Sequence, residues 1–389
     1  MTRDLKVLGL ASLIWGFGDG MIIYLTPLYL SELGADPSQI GGILGIGALL
    51  MALSQIPAGI LSDRFGRKPL LLISGLIGLI ATVIMSLAAS LTVFVVGFWL
   101  WFISGFMFSP MASYISATKS PWAFTRSLAT ISALYGMGSI FGPVTGGQIA
   151  QVFELRTIYL VAILSTSISA IILVFLPPQP IVKSTKREGL GTVRSNLPLI
   201  KFLAIAFFIL LAMSLSWPLT PVYLQEIKLV SVATIGILGS LNALGVVILN
   251  LVVGRFKSRQ GFLISLVLVG FSVIFIWQGM GILWYGLGYF FAAGFRLFRV
   301  LATGHIESFV SIDTAGLGYG IAETVWILTF VVVSPIAGFL YEVEPELPFP
   351  VSLVMILISI LLIPRLIPPT PQDITTTTQV ETFTRKETT

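Results

Sequence analysis

The sequence predicts an all-α membrane protein, twelve transmembrane helices arranged as two parallel repeats of six. Three observations predict it. The 389 residues are 56% hydrophobic and only 10% charged, with a mean hydropathy of +0.99, whereas soluble domains carry about 25% charged residues. Apolar stretches of about 20 residues, the length that crosses a bilayer's hydrocarbon core, recur along the chain. The two halves also repeat each other. Thr26-Pro27-Leu28-Tyr29-Leu30 is matched by Thr220-Pro221-Val222-Tyr223-Leu224, and Gly42-Ile43-Leu44-Gly45 by Gly236-Ile237-Leu238-Gly239 at the same offset. Pro143 and Gly146 have counterparts in Pro335 and Gly338.

In order, spans are expected near 7–30, 40–61, 70–89, 92–115, 127–150, 157–176, 199–224, 232–254, 261–280, 282–303, 317–340 and 349–366. The first begins at about Val7 and runs on with no small-residue cleavage site behind a short core, so it reads as a retained span rather than a signal peptide. The second and third flank a charged hairpin, and only Gly279-Met280-Gly281 separates the ninth from the tenth. The longest internal connection, 177–198, holds a PPQP stretch and a Lys/Arg run. It divides an N-terminal six-helix bundle, 1–176, from a C-terminal one, 199–367. The Thr-rich polar tail, 368–389, is expected to be disordered and cytoplasmic.

Charge sets the orientation. With the N-terminus in the cytoplasm, eighteen of the 22 Lys and Arg fall on cytoplasmic segments. Arg156 and Lys228 fall outside, and Arg296 and Arg299 lie within a span. The outer loops are acidic, with Glu32, Asp36, Glu342, Glu344 and Glu346. The net charge of +5 is thus the positive-inside pattern and not a nucleic-acid patch. Both termini are placed in the cytoplasm, and the chain in the cell's inner (plasma) membrane. The absence of cysteine excludes a disulfide framework, a thiolate metal site and a thiol nucleophile.

Gly59 to Pro69 reads GILSDRFGRKP, a dense charge cluster between two apolar spans. Such charge must lie at the membrane surface, on the side that holds positive charge. Gly59, Leu61, Ser62, Asp63, Arg64, Gly66, Arg67, Lys68 and Pro69 match, without a gap, the loop 2–3 signature of the major facilitator superfamily, which the chain resembles to about residue 366. The resemblance implies the 6+6 fold of that family, with a substrate site between the halves near the midplane. It also implies a conformational latch in Gly59, Asp63, Arg64, Gly66, Arg67 and Lys68 that holds the cytoplasmic ends together. Asp63 is expected at the entry to span 3, near the positive end of a helix dipole. The bland reading is a topogenic charge cluster. A degraded copy, Gly254-Arg255-Phe256-Lys257-Ser258-Arg259, lacks the aspartate.

Span 5 carries Gly138, Gly142, Pro143, Gly146 and Gly147, which resemble the fifth-span signature of the family's proton-driven exporters. Glycines four apart let backbones approach closely, and the proline bends the helix. A generic packing face is the alternative. The family's fourth-span arginine is replaced, since Trp101 stands four residues before Gly105.

Ionisable residues inside spans are functional candidates because burying them is costly. Asp19 lies near the middle of span 1 with Trp15 one turn before it. It reads as a protonation or cation-binding site, or else as a structural carboxylate at a glycine-rich break. Arg296 and Arg299 lie three apart on span 10, with Glu323 at similar depth on span 11. These read either as an anion site or as an Arg–Glu pair holding the second half together. Trp15, Tyr24, Trp101, Met107, Phe108, Met213 and Trp217 are candidate cavity residues, aromatic or soft side chains suited to adaptable recognition. Sparse hydrogen-bonding residues on spans 1, 4, 7 and 10 argue against sugars. His305, Glu307 and Asp313 read as a solvated loop face rather than a metal site, and no hydrolase, nucleotide or metal signature points to an enzyme.

The expectation is a transporter that exports hydrophobic or amphipathic, cationic small molecules by alternating access, driven by protons through Asp19. Its expected partners are that substrate, protons and the lipid bilayer, with no cofactor, no metal and no nucleic acid, in a monomer. An organic anion or metabolite carrier using Arg296, and a non-transporting sensor, stay open as alternatives.

Overall fold

Fifteen α-helices form among the described residues of the computed structural model. Those residues are 1–118, 120–122, 124–179, 196–253, 258–306, 309 and 315–366; at 56, 63, 124, 125, 253, 258, 315–320, 362 and 364–366 the backbone alone is described. In lipid each backbone N–H and C=O must be satisfied within its own segment, which leaves the helix as the form for these apolar runs. A first group comprises α1 (Arg3–Glu32), α2 (Pro37–Phe65), α3 (Arg67–Leu87), α4 (Leu91–Ser104), α5 (Phe108–Ala117), α6 (Phe124–Val152) and α7 (Thr157–Val174). A second comprises α8 (Leu197–Ser214), α9 (Thr220–Glu226), α10 (Val232–Val253), α11 (Ser258–Gln278), α12 (Ile282–Ala292), α13 (Gly294–Ile306), α14 (Ala315–Val343) and α15 (Pro348–Leu366).

The chain is a multi-pass membrane protein. Among the described residues, ten helices are long and apolar enough to cross a bilayer, with 91–117 counted as one. Three expected spans are broken. A 3₁₀ turn at Gly105–Met107 parts α4 from α5, residues 215–219 part α8 from α9, and Ala293 parts α12 from α13. The tenth span is therefore two helices of 11 and 13 residues.

Local chemistry sets the helix ends. The Asp36 carboxylate accepts from the Gln39 N–H at 2.7 Å, and the Gln39 side chain accepts from the Asp36 N–H at 3.3 Å. With Pro37 in the first turn this is a capping box. Gly66, at φ +94°, is the single residue between α2 and α3, and Gly281, also at φ +94°, turns α11 into α12. Only glycine enters that region without strain. Asp63 accordingly lies in the last turn of α2 and not at the start of α3, because the reversal waits for Gly66; its side chain is outside the described set. The linker at 180–195, the loop residues 254–257 and the tail from 367 also lie outside it.

One end of the molecule holds Arg3, Lys6, Arg64, Arg67, Lys68 and Lys201, and the other Glu32, Asp36, Glu226, Glu342, Glu344 and Glu346. The two groups meet in the acidic half. There α1 packs on α9 and α10, α6 on α10, and α2 on α14. The contacts are close because they are glycine contacts. A Cβ at Gly41 would lie 2.3 Å from the Ser334 carbonyl oxygen, and one at Gly147 would lie 2.9 Å from the Gly236 Cα. Val144 N–H donates to Ser240 Oγ at 3.0 Å, Ser31 Oγ donates to Glu226 at 2.7 Å, and Ser38 donates to Glu342. A single apolar core runs through both groups here, from Ile22, Leu25 and Leu28 to Tyr223, Ile235 and Leu238. Toward the basic end the first group has a core of its own, built on Leu5, Leu8, Trp15, Leu71, Met107 and Tyr114. Among the described side chains no hydrogen bond or ion pair joins the groups at that end.

Candidate functional site

The site is built on the packing of α1 against α6. Glycines alternate along the contact so that each backbone seats in the other. A Cβ at Gly138 would lie 2.0 Å from the Leu13 carbonyl oxygen, and one at Gly142 would lie 2.3 Å from that of Phe17. From the α1 side, Gly16 meets the Tyr135 carbonyl and Gly20 meets Ser139 and Pro143. Gly146 receives Met21 and Leu25, while Gly147 turns to α10 of the other group. The span-5 glycines thus do two jobs: Gly138, Gly142 and Gly146 seat α1, and Gly147 joins the groups.

This fit brings Tyr135 to Asp19. Asp19 is 7% exposed in the middle of α1, and the Tyr135 hydroxyl donates to its Oδ2. Among the described residues, no cation pairs with it. One and a half turns further along α1, Tyr24 Oη donates to Asn242 Oδ1 on α10 at 2.8 Å. Asn242 Nδ2 donates in turn to the Tyr289 carbonyl on α12 at 2.8 Å. The Trp217 ring lies between the two tyrosines, 6.4 Å from Tyr24 edge-on and 5.1 Å from Tyr289. These four side chains form an aromatic roof that crosses from one group to the other.

Both charges lie on one side of the roof. At 1.5 Å per residue, Asp19 lies about 7.5 Å from Tyr24 toward the basic end. Arg296 follows Tyr289 by seven residues in the same direction, across the break at Ala293. Asp19 and Arg296 therefore both stand toward the basic end from the roof, on opposite groups. Arg296 is exposed, makes no side-chain hydrogen bond or ion pair among the described residues, and lies within electrostatic reach of Asp19, Tyr24 and Tyr135. Arg299, one turn on, is engaged: its Nη2 meets Glu323 Oε2 on α14 at 2.7 Å, with the two side chains 33% and 52% exposed.

The other candidates are dispersed. Trp15 is buried against Gly78 in the basic-end core and does not line the space between the groups. Trp101 stacks on Phe98 at 6.0 Å and lies edge-on to Phe102 within the shared core. Met107 and Met213 are buried in core clusters, while Phe108 is exposed. Of the hairpin residues, Arg67 donates to Ser113 at 2.7 Å and to Gln179 at 3.1 Å, and Lys68 to the Val174 carbonyl at 2.8 Å, all within the first group. Arg64 lies over the Phe65 ring at the surface, and Gly59 faces Ser109. His305 is not on a solvated face. It is buried among Phe202, Phe262 and Phe309, and Glu307 and Asp313 fall outside the described residues.

Tyr135, Asn242 and Tyr289 escape a reading of the sequence. Tyr135 lies one turn before Gly138 and two before Gly142, on the face the glycine motif defines. Asn242 is the polar residue midway along α10, a position where a side-chain amide bonds across helices.

Residues 8–212 and 202–388 each match the family model described as Major Facilitator Superfamily. The chain is similar to the multi-drug resistance efflux pump PmrA of Streptococcus pneumoniae, 27% identical over 169 residues, 40% of each protein. It is similar to the multidrug resistance protein MdtG of Citrobacter koseri, 26% identical over 242 residues, 58% of each. The matched stretch is less than two thirds of either relative. Among solved structures, the nucleoside transporter NupG superposes with a TM-score of 0.75 at 14% identity, over 93% of this chain and 98% of that one. At that identity the likeness is one of fold.

Proposed function

The chain belongs to the major facilitator superfamily, and on that footing we propose that it is a secondary transporter that exports hydrophobic or amphipathic, cationic small molecules in exchange for protons. It crosses the cell's inner membrane twelve times, as bundles 1–176 and 199–367, and works as a monomer. The positive-inside pattern puts the basic end, with both termini, in the cytoplasm. The arrangement described here then gives onto the cytoplasm, the side from which an exporter loads.

The observation that carries the reading is Asp19, a carboxylate buried mid-helix with a tyrosine hydroxyl as its partner and no salt bridge to a cation among the described residues. An uncompensated buried carboxylate costs several kcal/mol. The carrier can enclose this site only after Asp19 takes a proton or a cationic substrate. That exclusivity couples the two fluxes: substrate displaces the proton on one side of the membrane, and proton displaces substrate on the other. Tyr135 orients the carboxylate in either state. When the basic end closes, Gly59, Asp63, Arg64, Gly66, Arg67 and Lys68 latch the hairpin against the second bundle, and the acidic-end contacts part. The drug-efflux names of PmrA and MdtG support the substrate class.

The test is proton movement in energised inside-out vesicles, followed with a fluorescent pH probe while lipophilic cations are added. Cation-triggered proton release is expected from the native chain and absent from Asp19→Asn inserted at the same level. Equal release from both would remove Asp19 from the mechanism.

A further inference from the structure

We infer that the preferred substrate is zwitterionic: an amphiphile with a cationic group for Asp19, an anionic group for Arg296 and an aromatic body beneath Tyr24 and Trp217. The inference rests on the export reading and narrows its substrate class. Three placements carry it. Asp19 and Arg296 both stand on the basic-end side of the same roof. They belong to opposite groups of helices, and their charges act on each other across the space between the groups, so one bound molecule can face both. Each is left without a salt bridge among the described residues, although Arg299, one turn away, has Glu323.

The unequal treatment of the two arginines is the informative detail. Arg299 is neutralised within its own group and adds little net charge to the cleft. Arg296 is exposed, makes no side-chain hydrogen bond or ion pair among the described residues, and lies within electrostatic reach of Asp19 and Tyr135 in the first group. A substrate carrying only positive charge gains from Asp19 but is repelled by Arg296. A purely anionic one meets the reverse. A zwitterion gains from both, and it gives each charge a partner at contact distance as the site closes. The roof adds apolar and cation–π surface for a flat body.

Two dyes that differ in one ester test this. Rhodamine 110 carries a cationic xanthene and a free carboxylate; rhodamine 123 is its methyl ester and keeps only the cation. Binding of each to the full-length protein in nanodiscs is followed by fluorescence anisotropy at pH 7. The native chain is expected to bind rhodamine 110 about tenfold more tightly than rhodamine 123. Arg296→Gln is expected to bring that ratio to about one, and Asp19→Asn to weaken both dyes. Equal affinities in the native chain, or a ratio unchanged in Arg296→Gln, would overturn the inference while leaving the export reading in place. The native comparison decides even where a variant folds poorly. Failure of both dyes to bind, or binding indifferent to Asp19→Asn, would overturn the export reading and this inference with it.

Discussion

Asp19 depends on one neighbour. The Tyr135 hydroxyl is its described hydrogen-bond partner, and a hydrogen bond to a charged group is worth about 1.5–3 kcal/mol. Tyr135→Phe keeps the ring that packs beside Gly16 and removes only the donor. Transport is expected to fall about tenfold, with helicity and elution volume unchanged. A rate within twofold of native would detach Tyr135 from the site. At this scale the sequence was half legible. An aspartate in the middle of an apolar span is conspicuous because its burial is costly, and so was Arg296. Their place on one side of a shared roof was not legible, since it depends on Tyr24, Asn242 and Tyr289 meeting across helices far apart in the chain. Trp15 shows the converse. Its spacing from Asp19 suggested a shared face, yet the ring fills the notch left by Gly78, which hydropathy does not mark. His305 misled for a similar reason: its place near an unpatterned cytoplasmic loop suggested solvent, while three phenylalanines surround it.

Helices here are held by what they lack. Along α1 and α6 the glycines let carbonyls and Cα atoms touch, which side chains would prevent. A methyl at Gly142 would sit 2.3 Å from a backbone oxygen of α1, an atom that cannot move without its helix. Gly142→Ala is expected to destabilise by about 1–3 kcal/mol and to lower the melting temperature. Gly42 has open space around its Cβ position, so Gly42→Ala should stay within about 0.5 kcal/mol of native. Similar losses from both would mean that α1–α6 contact is not what the span-5 motif provides. The spans were legible because bilayer thickness sets their length, and the α2–α3 turn because Gly66 must take positive φ. The break at Ala293 carries no proline; Gly294 follows it, and a Cβ there would lie 2.9 Å from the Ser265 carbonyl oxygen, a close approach that the sequence alone does not show.

At the scale of the whole molecule, the two groups are joined near the acidic end, and the described side chains leave the basic end unbridged. If transport needs that junction to open, fastening it must stop the cycle. The chain has no cysteine, so an introduced pair reports only on itself. Ser31 and Glu226 already touch across the junction at 2.7 Å. Ser31→Cys with Glu226→Cys is expected to cross-link with a short bis-methanethiosulfonate reagent that replaces the reach of the lost carboxylate, halt transport, and recover with a reductant. Undiminished transport by the cross-linked protein would show that the acidic end need not part. The junction itself has a further property. Its closest contacts are Gly41 against Ser334 and Gly338, and Gly147 against Gly236. Burying a long side chain forfeits up to about 2 kcal/mol of rotamer entropy, and glycine has none to forfeit. These glycine contacts give up no side-chain disorder as they form, so the cost of ordering falls on the few side chains around them, Ser31, Glu226, Ser38 and Glu342. A cleft occupant shifts the balance between joined and parted forms only by its difference in affinity for the two, and a joint with little ordering cost leaves a smaller gap for that difference to overcome.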